Sequence, residues 1–430
     1  MMKFTAAGDA IIQRRIQPDF EGYEELTSFI SQGDASFFNL ETTLNYEGEC
    51  CASQFSGGTY IRTNPEVLED LKRFGFNMTS FNNNHVLDFS YKGLERTLEE
   101  VQKSGLVHSG VGRNLAEASA PRYLDTKNGR VALIAVNSSF NAPMMAGIQT
   151  DRVPGRPGIN GLRIQEHVEV TKEELDFIRD LADRTGINAS KKITRKEGYY
   201  AELESNEEEF GTLKFVLGET TQFVQKINPA DIERVDRAIY EAQLQADYII
   251  ISVHSHQLSG DAKENPSQFL KDFAHHCIDM GAHAIVGHGP HLLRPIEVYK
   301  ECPIFYSLGD FILQLYDIEL APSDFFEKHG LTAQSTVHEL LKKRSKNFTV
   351  GLMTDWKMFT TVIPCWETEN GKLTKLTLMP VVLDMEGHHS RVGLPRKADG
   401  EEILKYLGEM SAPYGTHMEL QEDGTILCTW

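Results

Sequence analysis

YIIISVHSH, residues 248–256, packs β-branched and aromatic residues into a run too short for a helix and closes it with two histidines. Its apolar part, Tyr248–Val253, reads as a strand buried on both faces, the kind that builds parallel sheets, with His254 and His256 following it. On its N-terminal side, Asn228 and Pro229 form a cap and first-turn pair opening a helix over 230–245. On its C-terminal side, a helical pattern over 266–280 leads to a second apolar run, 284–286, followed by GHGPH at 287–291. A further strand is expected at 304–307 and another at 350–355. Alternation of short strands with helices predicts an α/β fold.

The same pattern occupies the first 140 residues. Strands are expected at 3–7, 35–40, 77–81 and 130–136, with helices at 23–32, 65–74 and 92–104, the last ending near Gly105. Residues 141–227 change character: a Pro/Gly-rich stretch (153–161), an acidic helix around 172–184, a basic patch (191–196) and an acidic run (202–209) predict a helical insertion. The organisation expected is 1–140 and 228–358 as two halves of one domain, 141–227 inserted between them, and 359–430 as a β-rich C-terminal part of the same domain. In that last part, Glu369, Asn370 and Gly371 mark a hairpin turn.

Bulk properties exclude several function classes. The 430 residues carry 43 Lys+Arg against 62 Asp+Glu, a net charge of -19 that disfavours nucleic acid and anionic membrane surfaces. The six cysteines contain no CxxC pair and read as reduced thiols. The N-terminus MMKFTAAGDA lacks an extended apolar segment, and no run approaches the roughly 18–20 apolar residues of a membrane span. The chain as it stands reads as cytoplasmic, a removed anchor being compatible with that. No GxSxG or Walker sequence is present, and Gly110, Val111 and Gly112 read as a turn.

The chemistry lies at the strand ends. Asp9 follows KFTAAG, Glu41 follows SFFNL, Asn84 and His85 follow MTSFNN, His254 and His256 follow YIIISV, and His288 and His291 follow AIVG. In α/β sheets the carboxyl ends of strands converge on one crevice, so residues hundreds of positions apart meet there. An isolated Asp or Glu after a strand is usually a cap or turn; the joint pattern of carboxylates, an amide and imidazoles is a mixed oxygen and nitrogen ligand set suited to Mn, Fe or Zn. Two such divalent ions would activate a hydroxide for attack on a phosphoester and offset the negative charge of the protein around an anionic substrate.

The blocks GDA (8–10), NLE (39–41), NNHVLD (83–88) and GHGPH (287–291) resemble the signatures of the CapA-like capsule synthesis proteins of the calcineurin-like metallophosphoesterase superfamily. Further similar segments follow in order: GVGRNLAEASAP (110–121), GRPGINGLR (155–163), IFYSLGDFI (304–312) and GLPRKADGEEILKYLGEMSAPYGT (393–416). The resemblance implies a four-layer αββα sandwich, a dinuclear metal centre and a link to poly-γ-glutamate capsule production. It implies Asp9 and His291 on a first metal, Glu41 bridging, and Asn84, His254 and His288 on a second. His85 would protonate the leaving group, with Asp88 orienting it. The chain departs from the family pattern at HSHQLSGD (254–261), where His256 is an extra ligand or faces solvent, and at Asp310, where the family usually has Asn. Arg62, Arg156 and Arg294 are candidate binders of an anionic small molecule or polymer, phosphoester or polyglutamate. A γ-glutamyl amide hydrolase or transferase and a non-catalytic accessory of polymer synthesis are the competing expectations.

Overall fold

The computed structural model describes residues 1–351 and 354–430. The strand expected at 350–355 includes positions outside the described residues. Contacts divide the chain into one unit of Met1–Gly161 with Glu233–Trp430, and a second of Leu162–Ile232.

The larger unit is mixed α/β and contains a ten-stranded and a six-stranded sheet. The ten-stranded sheet has a parallel block, Met2–Ile11, Ala35–Leu40, Met78–Ser80 and Val107–Ser109. Thr360–Glu369 adds antiparallel to Met2–Ile11, followed by Lys372–Leu383, Ile426–Thr429 and His417–Leu420. The turn between Thr360–Glu369 and Lys372–Leu383 has left-handed residues at Asn370 and Gly371 (φ 51° and 84°), the backbone that a tight hairpin requires. In the six-stranded sheet, Gly129–Asn137, Tyr248–His254, Ala284–His288 and Cys302–Phe305 are parallel, with Arg122–Thr126 and Ile296–Tyr299 antiparallel at the edges.

Side chains of both sheets share one apolar cluster: Phe4, Phe37 and Met78 from the first with Leu133, Ile250, Val286 and Phe305 from the second. Phe4 stacks on Trp366 at 5.2 Å between centroids. A second cluster joins Phe38, Leu40 and Phe311 to the buried stripes of the helices Tyr23–Ile30, Val67–Lys72 and Ser90–Ser104. A third gathers Ile11, Ile61, Leu313 and Leu383 under the helices Ser323–Lys328 and Val337–Arg344, two helices the sequence reading does not anticipate.

Register gathers the polar residues: His254 sits beside Asn137 and His288 at the ends of their parallel strands, and Asp9 sits beside Asn39 and beside Asp310, the first residue of the strand Asp310–Leu313. The first strand runs to Ile11, so Asp9 lies within it. Its pairing shifts between Ala6 and Asp9, where a Cβ on Gly8 would come 1.8 Å from the Gly309 carbonyl oxygen. Only glycine permits that approach.

The smaller unit corrects one expectation. Residues read as a helical insertion hold a four-stranded sheet, Glu207–Phe210, Leu213–Leu217, Ile164–Val170 and Gln222–Ile227, beside the helices Lys172–Thr185 and Ala189–Lys196. The acidic run hides the strand because its carboxylates have local cations: Glu207 pairs with Lys214 at 2.7 Å, and Glu209 with Lys191 at 3.0 Å and Arg195 at 2.8 Å. Gly110 to Gly112 is corrected as well. Val111–Gly112 is a short strand paired antiparallel with Gly158–Ile159.

Candidate metal centre

Asp9 is fully buried and accepts hydrogen bonds from Asn39 Nδ2 at 2.7 Å and from the Gly289 amide at 2.8 Å. Burial alone would push its pKa up, but His288, His291 and Asn39 hold it below the usual carboxylate range. His288 Nδ1 is 3.4 Å and His254 Nδ1 3.9 Å from Asp9 Oδ1.

Glu41, the residue after Ala35–Leu40, is also fully buried, and neither of its carboxylate oxygens has a hydrogen-bond partner among the described residues. His254 Nε2, His291 Nδ1 and His85 Nε2 stand 3.8, 3.9 and 4.0 Å from it. Burial first, and then the charge of Asp9, raises the Glu41 pKa well above normal. A buried carboxylate without donors costs several kcal/mol, which a bound cation would offset.

The imidazoles form a connected group. His254 Nδ1 is 2.9 Å from His288 Nδ1, and its Nε2 is 2.7 Å from Asn84 Oδ1 and 3.1 Å from His256 Nε2. Burial lowers the pKa of His254 well below the ordinary value and that of His256 to about 3, with the neighbouring imidazoles acting in the same direction. Both are therefore neutral, the form in which imidazole coordinates. His256 turns inward and is half-buried. His291 adopts φ 60°, a left-handed backbone uncommon for a residue with a side chain, and its Nδ1 lies 2.9 Å from Asp310 Oδ1. Burial opposes its protonation, but Asp310 and Glu41 prevail and raise its pKa to about 10.

Among the described residues three sets occur in which the ligand atoms lie within 4.8 Å of one another: Asp9, His254 and His288; Glu41, His256 and His291; and Asp9, Glu41, His291 and Asp310. Asp9, Glu41 and His291 each belong to two sets, so the groupings overlap as a shared centre requires. Their oxygen and nitrogen donors suit a hard or borderline divalent ion.

His85 lies at the rim of this group, with Nδ1 2.7 Å from Asp88 Oδ2. Asp88 also accepts the amides of Gly57 at 3.2 Å and Ile61 at 2.8 Å. Burial raises its pKa, partly countered by His85. Fixing Nδ1 leaves Nε2 directed toward Glu41.

The arginines named from sequence take different places. Arg294 is buried and donates to the carbonyls of Lys263 at 2.9 Å and Ser255 at 3.4 Å, tying down the loop after Tyr248–His254. Burial lowers its pKa to about 10. Arg62 lines a cavity of about 590 Å³ together with Arg14 and Arg15. Arg156 is exposed and donates to the Met145 carbonyl, not to the ligand group. Asp310, which the sequence reading notes as a family departure, joins the candidate ligands; its position after a strand and a left-handed glycine is the signal that marks it. Gly57 gives no such signal, although a Cβ there would lie 2.4 Å from Asn84 Nδ2 and 2.8 Å from His85 Nε2.

Comparison with known families assigns the chain. Residues 3–315 match the family described as bacterial capsule synthesis protein PGA_cap. The chain belongs to this family. Over 97% of its length it is 30% identical to the uncharacterized protein y4sH of Sinorhizobium fredii, covering 91% of that protein. It is 25% identical to the PGA biosynthesis protein CapA of Bacillus subtilis, over 78% of this chain and 70% of that one. A probable polyglutamine synthesis accessory protein of Mycobacterium tuberculosis is 25% identical over 65% of this chain and 55% of its own. Among the described residues of this PGA_cap protein, no helix is long and apolar enough to cross a membrane, and the six cysteines are free.

Proposed function

We propose that this protein is a metal-dependent hydrolase that cleaves phosphoesters and serves capsule or poly-γ-glutamate metabolism. The observation that carries the reading is Glu41: a buried carboxylate with no hydrogen-bond donor among the described residues, ringed by His85, His254 and His291 at about 4 Å. In this reading the two sheets and their helices form the four-layer αββα sandwich of the metallophosphoesterases.

Asp9, Glu41, His291 and Asp310 would hold one divalent cation and Asp9 or Glu41, Asn84, His254 and His288 the other, with His256 as an additional donor. The cations, Mn, Fe or Zn, would supply an activated water and neutralise charge developing on the phosphoryl oxygens. His85 Nε2 would pass a proton to the leaving oxygen, while Asp88 holds Nδ1 and fixes the ring. Arg294 acts from behind, through the loop that carries His256.

A second reading has one observation in its favour: a relative is named an accessory protein of polymer synthesis. In it the same cluster binds metal for structure or partner recognition. Elemental analysis of chelator-free protein, with Mn²⁺ assays on bis-p-nitrophenyl phosphate, p-nitrophenyl phosphate and poly-γ-glutamate, separates the readings. About two metals per chain with phosphoester turnover supports the proposal. Cleavage of poly-γ-glutamate alone selects amide chemistry, and metal-free, inert protein favours the accessory role.

A further inference from the structure

In front of His85 and His291 opens a cavity of about 190 Å³. Its walls are apolar, among them Ile11, Ile61, Leu313 and Ile318, and its charged or titratable lining residues are His85, His291 and Arg344. In a chain with net charge -19 this cleft is lined by no carboxylate. Arg344 ends the helix Val337–Arg344, whose Val337 and Leu340 are buried in the same cluster as Ile11, Ile61 and Leu313. The helix is thereby fastened to the extension of the strand that carries Asp9. Among the described residues Arg344 has no hydrogen-bond or ion-pair partner; its guanidinium lies over the Phe325 ring at 5.9 Å.

We infer that this cleft is the subsite for the leaving group and that Arg344 selects a compact apolar group ending in a carboxylate. The inference rests on the hydrolase reading only for the direction of the substrate, with His85 on the leaving-group side. The volume is below the roughly 300–1,000 Å³ of drug-sized sites, so a small group fits and a bulky one does not. Apolar walls strip water from the body of whatever enters, while Arg344, itself exposed, offers its unpaired fork to a planar carboxylate at two points.

The test is calorimetric binding to the Mn²⁺-loaded full chain of two ligands that cannot be hydrolysed, phenylphosphonate and 4-carboxyphenylphosphonate. The carboxylated ligand is expected to bind about tenfold more tightly, an advantage that R344M removes while leaving phenylphosphonate unchanged. R344K, which keeps the charge but loses the fork, retains part of it, and thermal melts confirm that both variants fold. Equal affinity of the two ligands, equal loss of both in R344M, or binding of neither overturns the inference. Turnover of p-nitrophenyl phosphate, measured on the same samples, reports separately on the hydrolase reading. A binding difference without turnover keeps the cleft and rejects the hydrolase; turnover without a difference does the reverse.

Discussion

Glu41 faces His254 with Oε1 3.8 Å from the imidazole Nε2, yet neither oxygen of the carboxylate accepts a hydrogen bond from any described residue. The residue is therefore costly to the protein by itself, a cost that a bound cation would offset. Because burial raises the Glu41 pKa, its stabilising protonated form is present in acid and is lost as pH rises from the unfolded value through the folded one. Glu41→Gln is expected to stabilise the chelator-treated protein near pH 7, by about 1–3 kcal/mol. The same change should lower bound metal to less than half. Urea denaturation with and without chelator, and elemental analysis, check both signs; a destabilised metal-free variant would refute the argument.

His85 and Asp88 are expected to act on rate and not on metal content. His85→Ala should lower kcat by about 10²–10⁴-fold, and Asp88→Asn, which disturbs the ring tautomer, by a comparable factor. Elemental analysis should find both variants loaded like the parent. Loss of metal in His85→Ala would move this residue from proton transfer to ligation.

Gly57 tests how closely the loop over the site is fitted. A methyl group there would stand 2.4 Å from Asn84 Nδ2 and 2.8 Å from His85 Nε2, so Gly57→Ala should reduce turnover at least about tenfold by displacing these side chains. Gly408→Ala is the control: it sits in the helix Glu401–Ser411, its Cβ meets nothing within 4 Å, and it should stabilise the protein by about 0.5–1 kcal/mol with activity unchanged.

His283 gives a pH dependence remote from the ligand group. It is held neutral by burial, its pKa is lowered, and its Nδ1 accepts the Ile249 amide at 3.1 Å. The unfolded imidazole titrates near 6.5, so below that pH the unfolded state binds more protons and stability falls as pH drops toward the folded value. One proton accounts for at most about 1.4 kcal/mol per pH unit. His283→Gln should flatten the slope of unfolding free energy between pH 6.5 and 5; an unchanged slope assigns the effect elsewhere.

Strand positions and the meeting of their ends were legible because a buried parallel strand has an apolar run with a polar residue at its end. Ala35–Leu40 matches the range expected, while Tyr248–His254 and Ala284–His288 run on to include the histidines. Less legible were features set by pairing. Strands Glu207–Phe210 and Leu213–Leu217 carry charges that read as a solvated run until their cations are seen. The helix bearing Arg344 does announce itself through a capping box, Thr336 with Glu339, but its relation to the site depends on apolar contacts with Ile11 and Leu313 from distant segments. Gly57 illustrates the limit: its importance lies in a close approach across 27 residues to Asn84, and nothing local marks it.

One side of the strand Met2–Ile11 is divided between two partners, Thr360–Glu369 along Met2–Thr5 and Asp310–Leu313 along Asp9–Ile11. Both are made late by the ribosome. This strand therefore waits, with one edge unsatisfied, until the segments holding Asp310–Leu313 and Thr360–Glu369 have been synthesised. The candidate ligand group around Asp9 is assembled only once the segment bearing His288, His291 and Asp310 has been made, so products truncated before it would lack those ligand atoms.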